Sequence, residues 1–205
     1  MYEVKPLPFT QELDGISQKT NEIHHDKLYT GYVNKANEIG DKLVKLRGEI
    51  ISGQNPGGNQ TYSDLRGLKQ GETFAVNGIY LHEWFFGVLG GDGDSRKAPE
   101  LSAAISLKFG SIDSFIKYFG ECAMAARGWA ILAWDLHEQA LKQYNGDMHN
   151  QAVWGCVPIL ALDVYEHAYF IDHGSDRKAY VEAFFKNLNW EAAEAMFKKA
   201  SALSL

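Results

Sequence analysis

A carboxylate and an imidazole stand four residues apart at the end of the longest apolar stretch of the chain. Asp163 directly follows the apolar residues 157–162, and His167 comes one helical turn later. A carboxylate at the end of a buried strand and an imidazole in the next turn can converge on one point, as the arms of a metal chelate do. The alternative is that Asp163 caps a helix and that His167 is a hydrogen-bonded core histidine. These two residues alone do not decide between a metal site and this alternative.

Two further histidines lie on helical stripes with aromatic neighbours. His24 is on the same helical segment as Tyr32, and His82 is followed by the aromatic residues 84–86. Burying two imidazoles is unfavourable unless each has a partner, and one metal ion would be a partner for both. No CxxC motif is present, so a thiolate site is not indicated. The histidines and the carboxylate together favour a metal site.

The elements that must position the first two histidines are helical. Ser17–Ile51 has helical periodicity, with Gly31 and Gly40 as candidate bends, and Gly71–Leu89 is a second helical segment. The Gly-, Asn- and Pro-containing segment 52–59 is predicted to be the loop between them. We therefore expect two antiparallel helices in the first half of the chain.

The second half has a mixed pattern. The Gly- and Asp-rich residues 90–94 predict a boundary between a domain at 1–91 and a domain at 92–205. Helices are predicted at 99–127, 176–188 and 190–203, the last with Asn189 as N-cap, and strands at 128–136, 141–144 and 153–164. The predicted fold class is α+β: an N-terminal helical hairpin domain plus a C-terminal domain of helices around a small three-stranded antiparallel sheet.

Composition excludes several classes of protein. The chain has 205 residues, a formal net charge of −6 and 45% hydrophobic residues, as ordinary folded proteins do. No apolar run approaches the ~18 residues of a membrane span, and the acidic balance argues against a general nucleic-acid surface. Cys122 and Cys156 form no disulfide framework, and the first residues do not resemble a secretory signal. We expect a cytoplasmic protein with no membrane or nucleic-acid partner.

Four segments of the chain resemble one known family. They are residues 22–34, 81–83 and 128–130, and the motif Asp-Val-Tyr-Glu-His-Ala-Tyr at 163–169. In order and spacing they resemble the iron/manganese superoxide dismutases, from about Pro6 to Trp190, and the 163–169 motif is the most specific. The resemblance implies an enzyme that acts on superoxide with one iron or manganese ion per subunit. It also implies a homodimer or a dimer of dimers.

The resemblance assigns roles to single residues. The four that match the metal ligands are His24, His82, Asp163 and His167. Tyr32 matches the tyrosine at the entrance of the site, and Trp129 matches its aromatic wall. Glu166 matches the residue that reaches a ligand histidine of the partner subunit, and Tyr169 closes the same motif. Lys27 and Arg177 resemble the cationic residues that steer superoxide.

An outer partner for the metal's bound solvent is expected from the second half of the chain. Some iron enzymes of the family carry a glutamine for this purpose at the position of Gly78, and glycine cannot replace it. His149 resembles the corresponding histidine of archaeal and mycobacterial members, and Gln151 is the nearby alternative.

The chain also departs from the family pattern. Leu28 and Phe170 stand where many members have a histidine and a tyrosine that hydrogen-bond between subunits. Both ends of that polar pair are apolar here, so no buried donor is orphaned and the two side chains can pack instead. Tyr165 replaces the usual tryptophan, and Ile131 replaces another aromatic residue.

The proposed ligands suit the implied reaction. Superoxide disproportionation needs an ion that changes valence, which excludes zinc. Three imidazoles and one carboxylate suit iron or manganese and leave a position for water or hydroxide, so reduction coupled to proton uptake keeps the charge of the site constant. Two other hypotheses are a non-enzymatic protein with this fold and a helical di-metal carboxylate protein, which would need paired Glu-x-x-His motifs that the chain lacks.

Overall fold

An extended N-terminal arm lies against the first helices. The computed structural model describes residues 1–55 and 57–203, so Pro56 of the predicted loop and the C-terminal Ser204 and Leu205 lie outside it. In the arm, the backbone N–H of Lys5 donates to the Tyr29 hydroxyl at 3.0 Å, and its carbonyl lies 2.8 Å from a ring nitrogen of His25.

The first half of the chain is a helical hairpin. Its elements are α1 (Gln18–Glu22), a π-helical segment (Ile23–Tyr29), α2 (Thr30–Ile51) and α3 (Asp64–Gly87). α2 and α3 pack against each other along much of their length. The predicted hairpin is thus confirmed, with two differences in its details.

The first difference is the π-helical segment between α1 and α2. The predicted helix Ser17–Ile51 is helical throughout, but its irregularity falls at Ile23–Tyr29 rather than at Gly31 or Gly40. The Thr30 backbone N–H donates to the His25 carbonyl five residues back, and the Thr30 hydroxyl donates to the same oxygen at 3.2 Å. Wide turns of this kind occur frequently at functional sites, and this one carries His24.

The second difference is the start of α3, which was predicted at Gly71 and lies at Asp64. The Ser63 side chain accepts from the Arg66 backbone N–H at 3.1 Å and caps the helix, and Asp64 in the first turn interacts favourably with the helix dipole. Gly67 and Gly71 weaken the helical pattern of this first part, which is why the prediction began too late.

The second half combines helices with one sheet. Its helices are α4 (Pro99–Phe109), α5 (Ile112–Ala125), α6 (Phe170–His173), α7 (Arg177–Lys186) and α8 (Trp190–Ser201), with 3₁₀ turns at Ser95–Lys97 and Glu166–Ala168. The strands are β1 (Trp129–Asp135), β2 (Ala140–Gly146) and β3 (Cys156–Asp163), antiparallel in the order β2-β1-β3. This architecture confirms the predicted α+β fold class.

The sheet register brings three strand ends together. In the central strand, Trp129 pairs with Gly146 of β2 and with Asp163 of β3. The third strand begins at Cys156, not at Val153 as predicted, because residues 153–155 form an exposed turn in which the Trp154 side chain is 92% accessible. The site residues of β1 and β3 are therefore neighbours by pairing.

Side chains between elements join the molecule into one core. α3 packs on β3, and the Phe85 ring stacks on Phe184 of α7 at 6.3 Å between centroids. Asn189 caps α8 as predicted, accepting from the Ala192 backbone N–H at 3.0 Å. Across the described residues, none of the helices is both long enough and apolar enough to traverse a bilayer.

A buried carboxylate from α8 closes the N-terminus of α4. The Glu194 side chain is 6% exposed and accepts from the backbone N–H groups of Leu101 at 2.7 Å and Glu100 at 3.2 Å. Burial alone would raise the pKa of Glu194, but these two donors and the Lys198 ammonium lower it. Glu194 is therefore an ionised cap for a helix that is distant in sequence.

Candidate metal centre

Four side chains from three parts of the chain converge on one point. They are His24 of the π-helical segment, His82 of α3, Asp163 at the end of β3, and His167 in the 3₁₀ turn that follows. One possible ligand atom from each lies within 4.8 Å of the others. The Nε2 atoms of His24 and His167 are each 3.1 Å from Asp163 Oδ2, and His82 Nε2 is 3.6 Å from it.

The ring of His82 shows that these contacts are more than a hydrogen-bond network. Its Nδ1 lies 2.6 Å from the Gly78 carbonyl, which can only accept, so Nδ1 carries the proton and Nε2 does not. Burial lowers the pKa of His82 to about 3, so the ring is neutral. Nε2 is thus a bare lone pair that is fully buried, has no hydrogen-bond partner within residues 1–55 and 57–203, and faces a carboxylate oxygen. A cation bound by both atoms would satisfy two acceptors that face each other at 3.6 Å.

The donor set fits a single transition-metal ion. Donor atoms that bind one ion at about 2.1 Å stand roughly 3.0–3.5 Å apart, close to the 3.1, 3.1 and 3.6 Å that separate the three histidine nitrogens from Asp163 Oδ2. Three imidazoles and one carboxylate suit iron, manganese or zinc, and no thiolate is present among the four. The cluster therefore has the composition and spacing of a mononuclear metal site.

The surroundings hold Asp163 in position. Its Oδ1 accepts from the Tyr165 backbone N–H at 2.9 Å, and its backbone carbonyl accepts from the Tyr180 hydroxyl at 2.8 Å. Burial alone would raise the pKa of Asp163, but the nearby His167 and His24 lower it. The carboxylate is therefore ionised, with Oδ2 directed at the three histidines.

The pKa values of His24 and His167 are shifted in opposite directions by their surroundings. Burial lowers the pKa of His24, although Asp163 opposes the shift. For His167, burial alone would lower the pKa, but the Asp163 carboxylate raises it above its usual value. A cation bound by the cluster would compete with the proton on His167.

Aromatic rings enclose the cluster. The His24 ring lies 5.1 Å from the Phe85 ring and 5.2 Å from the Phe86 ring, and Trp129 meets the His82 ring edge-on at 5.3 Å. Trp129 is fully buried, as expected for the aromatic wall of a site. These rings therefore form apolar walls beside His24 and His82.

A hydrogen-bonded chain leads from Trp129 through His149 to Tyr32. The Trp129 indole N–H donates to His149 Nδ1 at 2.8 Å, and His149 Nε2 lies 2.7 Å from the Tyr32 hydroxyl. Burial lowers the pKa of His149 to about 4, so its ring is neutral with the proton on Nε2. Nε2 then donates to the Tyr32 oxygen, which leaves the proton of that hydroxyl available to another acceptor. Burial and the charge of Asp163 raise the pKa of Tyr32 to about 12, which keeps the hydroxyl protonated.

His149 and its alternative Gln151 occupy different environments. His149 is 1% exposed and its ring lies 5.7 Å from that of His82. Gln151 is exposed, and its side-chain oxygen accepts from the Asp147 backbone N–H at 2.8 Å. The structure thus brings His149 to the cluster and uses Gln151 to close the turn.

Gly78 has a role that the sequence did not reveal. A Cβ atom at this position would stand 2.8 Å from two atoms of the Tyr32 ring. The missing side chain therefore allows the ring to lie against α3, while the Gly78 carbonyl fixes the tautomer of His82.

The two cations predicted to steer superoxide are in unlike positions. Lys27 is exposed on the π-helical segment, and no ion pair is found for it among the described residues. The Arg177 guanidinium is half-buried and donates to the Ala126 carbonyl at 2.8 Å and to the Tyr169 hydroxyl at 3.3 Å. Arg177 thus joins α7 to the end of α5.

The predicted subunit-contact residues form a partly exposed surface. Glu166 and Phe170 are exposed, the latter by 56%, and Leu28 is half-buried. The side chain of His167 is 29% accessible beside them. Tyr169, by contrast, is buried and its ring stacks on Tyr180 at 5.3 Å.

The fold and the site define a class: a mononuclear metalloprotein whose three histidines and one aspartate lie between a helical hairpin and a mixed helix and sheet domain. Comparison with known proteins agrees with it. The family model for the alpha-hairpin domain of iron/manganese superoxide dismutases matches residues 1–90, and the model for their C-terminal domain matches residues 97–196. The chain therefore belongs to the iron/manganese superoxide dismutase family.

Curated relatives of both metal types match over most of the chain. It is 39% identical over 191 residues to "Superoxide dismutase [Fe]" of Aquifex pyrophilus, covering 93% of this chain and 88% of the relative. The corresponding iron protein of Aquifex aeolicus is 38% identical with the same coverage. "Superoxide dismutase [Mn] 1" of Halobacterium salinarum is 33% identical over 205 residues, covering 98% of this chain and 96% of the relative.

Proposed function

We propose that this protein is a superoxide dismutase that converts two superoxide ions and two protons into dioxygen and hydrogen peroxide. One iron or manganese ion per subunit would be held by His24, His82, Asp163 and His167. The observation that carries the proposal is the bare, buried Nε2 of His82, which faces Asp163 Oδ2 with no proton between them. Family membership and relatives named for iron and for manganese support the same conclusion.

The bound ion would supply a one-electron couple, which no side chain of the site has. The protein's own groups would manage charge and protons. A single carboxylate, Asp163, balances part of the ion's charge and is itself fully buried. Its two oxygens have different partners. Oδ1 accepts a hydrogen bond from the Tyr165 N–H, and Oδ2 faces the histidines.

Protons would reach the site through Tyr32. Its hydroxyl accepts from His149 Nε2 and keeps its own proton, so it can donate toward the cluster and be reprotonated afterwards. His149 stays neutral because its pKa lies near 4, and Trp129 fixes its tautomer. Tyr32, His149 and Trp129 therefore form the catalytic group that we assign around the metal.

Lys27 is proposed to attract the superoxide anion to a protein with a net charge of −6. It is exposed, and its ammonium has no ion-pair partner among the described residues. We propose Arg177 as a weaker contributor, because carbonyl groups already engage its guanidinium.

The experiment is metal analysis joined to an activity assay. The chain is produced in metal-replete cells, metal per chain is quantified, and the iron and manganese forms are assayed separately for superoxide consumption. We expect close to one ion per chain and activity in at least one form. The matched variant Asp163→Asn preserves shape but removes the charge, and we expect it to lose both metal and activity.

Other results would contradict the proposal. A chain that retains one iron or manganese ion and consumes no superoxide would support a non-enzymatic member of the family. About two ions per chain would favour the di-metal alternative. Asp163→Asn with full metal content would mean that the cluster is not the binding site.

We also propose a homodimer, or a dimer of two such dimers. The support is the exposed surface of Glu166, Phe170 and Ile171 beside His167, because the Glu166 carboxylate has no partner among the described residues and the other two are large apolar side chains 56% and 46% exposed. Leu28, the other residue expected at the subunit contact, is half-buried. Sedimentation of wild type and Phe170→Asp tests the assembly, and we expect the variant to shift toward monomer.

We further propose a cytoplasmic location, no nucleic-acid partner and a division into two domains. Two free cysteines support a reducing, cytoplasmic location, which cell fractionation would test. The acidic balance supports the absence of a nucleic-acid partner. The turn at 90–94 supports a division into domains at 1–91 and 92–205, which limited proteolysis would test.

A further inference from the structure

The turn that carries His149 has little regular backbone structure of its own. Residues 147–155 lie between β2 and β3 and belong to neither strand. His149 is 1% exposed, yet Asp147, Met148 and Asn150 around it are all exposed. The position of the His149 ring therefore depends on a small number of specific contacts.

Tyr165 provides one of these contacts from across the site. Its hydroxyl donates to the Asp147 carbonyl at 3.1 Å, two residues before His149. The same ring stacks on the ligand His167, with centroids 5.4 Å apart and planes inclined by 16°, and lies 5.3 Å from the His149 ring. Tyr165 thus links the segment that holds two metal ligands to the turn that holds His149.

The space around this link is closely fitted. A Cβ at Gly128 would lie 3.0 Å from the Asp147 carbonyl oxygen and 3.0 Å from the Tyr165 ring. The Arg127 backbone N–H donates to the Asp147 side chain at 3.1 Å, and the Gln151 side chain accepts from the Asp147 N–H at 2.8 Å. Asp147 is therefore held through its carbonyl, its N–H and its carboxylate, and the carbonyl is held by Tyr165.

We propose that Tyr165 is a positioning residue: its hydroxyl anchors the turn at Asp147 and thereby sets the His149 ring against Tyr32 and Trp129. The ring of Tyr165 contributes packing that a phenylalanine would retain. The hydroxyl contributes the anchor, which a phenylalanine would remove. The two contributions can therefore be separated by one substitution.

The inference rests on the proposed function, in which His149 hydrogen-bonds Tyr32 beside the metal. The first readout is independent of catalysis: hydrogen–deuterium exchange of residues 147–151 in the metal-loaded full chain. For Tyr165→Phe we expect exchange there to rise about fivefold, the change in local opening that loss of one ordinary hydrogen bond produces. A protein without dismutase activity would still give this result, so failure of the two proposals can be told apart.

The second readout reports on the metal's surroundings. Electron paramagnetic resonance of the metal-loaded variant should differ from that of wild type, because a displaced His149 alters the groups around the ion. A residue that only stabilised the fold would lower the melting temperature without this spectral change.

The matched control is Tyr29→Phe. The Tyr29 ring also stacks on a ligand histidine, His82, at 6.4 Å, but its hydroxyl bonds to Lys5 and Glu83 instead. Its loss should raise exchange in the N-terminal arm and leave residues 147–151 at the wild-type rate. If Tyr165→Phe does not fold, Gln151→Ala removes the neighbouring anchor of Asp147 and should raise exchange in the same turn.

Three outcomes would overturn the inference. Unchanged exchange at 147–151 in Tyr165→Phe would mean that the hydroxyl does not anchor the turn. Increased exchange with an unchanged resonance spectrum would mean that the anchored turn does not position His149. A changed spectrum with unchanged exchange would mean that Tyr165 acts on the site directly.

Discussion

Replacing Gly78 by alanine is expected to destabilise a helix that alanine would normally stabilise. In the interior of α3 the exchange of glycine for alanine should gain roughly 0.5–1 kcal/mol from backbone entropy. However, the new Cβ would lie 2.8 Å from Cδ1 and Cγ of the Tyr32 ring. Carbon atoms pack at about 3.5–4.0 Å, so the ring would have to move by about 0.7 Å or more. Overpacking of this kind costs about 1–3 kcal/mol, which exceeds the gain.

Subtracting the gain from the cost leaves a net loss of up to about 2.5 kcal/mol, centred at about 1.3 kcal/mol, or a melting temperature lowered by roughly 3–5 °C for a chain of this size. The matched control is Gly67→Ala on the same helix, where a Cβ would meet no atom of the described residues within 4 Å apart from its chain neighbours and the nearby helix backbone. For this exposed position we expect a rise of roughly 1–4 °C. Two glycine-to-alanine changes in one helix should thus have opposite signs.

Gly78→Ala should also affect turnover. The Tyr32 ring cannot shift without moving its hydroxyl from His149 Nε2, now 2.7 Å away. A weakened proton donor should reduce superoxide consumption by about tenfold at equal metal content. Melting curves measure the change in stability of both variants relative to wild type. Metal analysis and a superoxide assay measure the change in turnover at equal metal content. A Gly78→Ala protein as stable and active as wild type would refute the steric argument, and a destabilised Gly67→Ala would refute the propensity argument.

Three other substitutions test separate parts of the site and fold. Tyr32→Phe should keep the metal and lose about tenfold or more in turnover, because the proton donor is removed. Lys27→Gln should slow superoxide consumption at low ionic strength and match wild type at high salt, since screening removes steering. In Glu194→Gln the melting temperature should fall less between pH 7 and pH 3 than it does in wild type. The lowered pKa of Glu194 means that its contribution is present above an unfolded-state pKa of about 4.3 and is lost as the pH falls through the folded value.

Each of these has an outcome that counts against it. Wild-type turnover in Tyr32→Phe would remove the hydroxyl from the proton path. A loss in Lys27→Gln that persists at high salt would indicate a role other than steering. Parallel melting curves for wild type and Glu194→Gln across the whole pH range would mean that the helix cap contributes nothing through its charge.

The convergence of the ligands was predictable because two kinds of signal agreed. The apolar stretch 157–162 followed by Asp163 and His167 indicated a chelating pair, and helical stripes placed His24 and His82 toward the interior. These patterns reflect burial and helical or strand period, which sequence encodes locally. The α+β fold followed from the same periods.

The features that the sequence did not reveal are of three kinds: a local change in backbone hydrogen bonding, an effect of glycine, and contacts between distant segments. Hydrophobic period does not distinguish a π-helical turn from an α-helical one, so the segment around His24 was predicted as regular helix. The start of α3 was predicted too late because Gly67 lowers helix propensity near its beginning. The Ser63 side chain nevertheless caps the helix there. For Arg177, the family resemblance implied steering, but the carbonyl groups that bind its guanidinium belong to another helix and its end.

The role of Tyr165 belongs to the same group. The replacement of the usual tryptophan by Tyr165 was visible in the sequence. The hydrogen bond to the Asp147 carbonyl was not, because it joins two loops whose relative position is set only by the folded sheet.

The π-helical segment makes the spacing of this part of the chain sensitive to length. In it the Thr30 N–H reaches back five residues, to the carbonyl of His25, rather than four. A turn of this width holds one residue more than an α-helical turn while the helix on either side keeps its direction. Deleting one residue there, for example the exposed Asp26, would therefore close the segment into ordinary α-helix and leave α1 and α2 in their present register. The change would fall on the wide turn itself, which carries His24, so a single residue of length would alter the backbone from which this imidazole reaches Asp163.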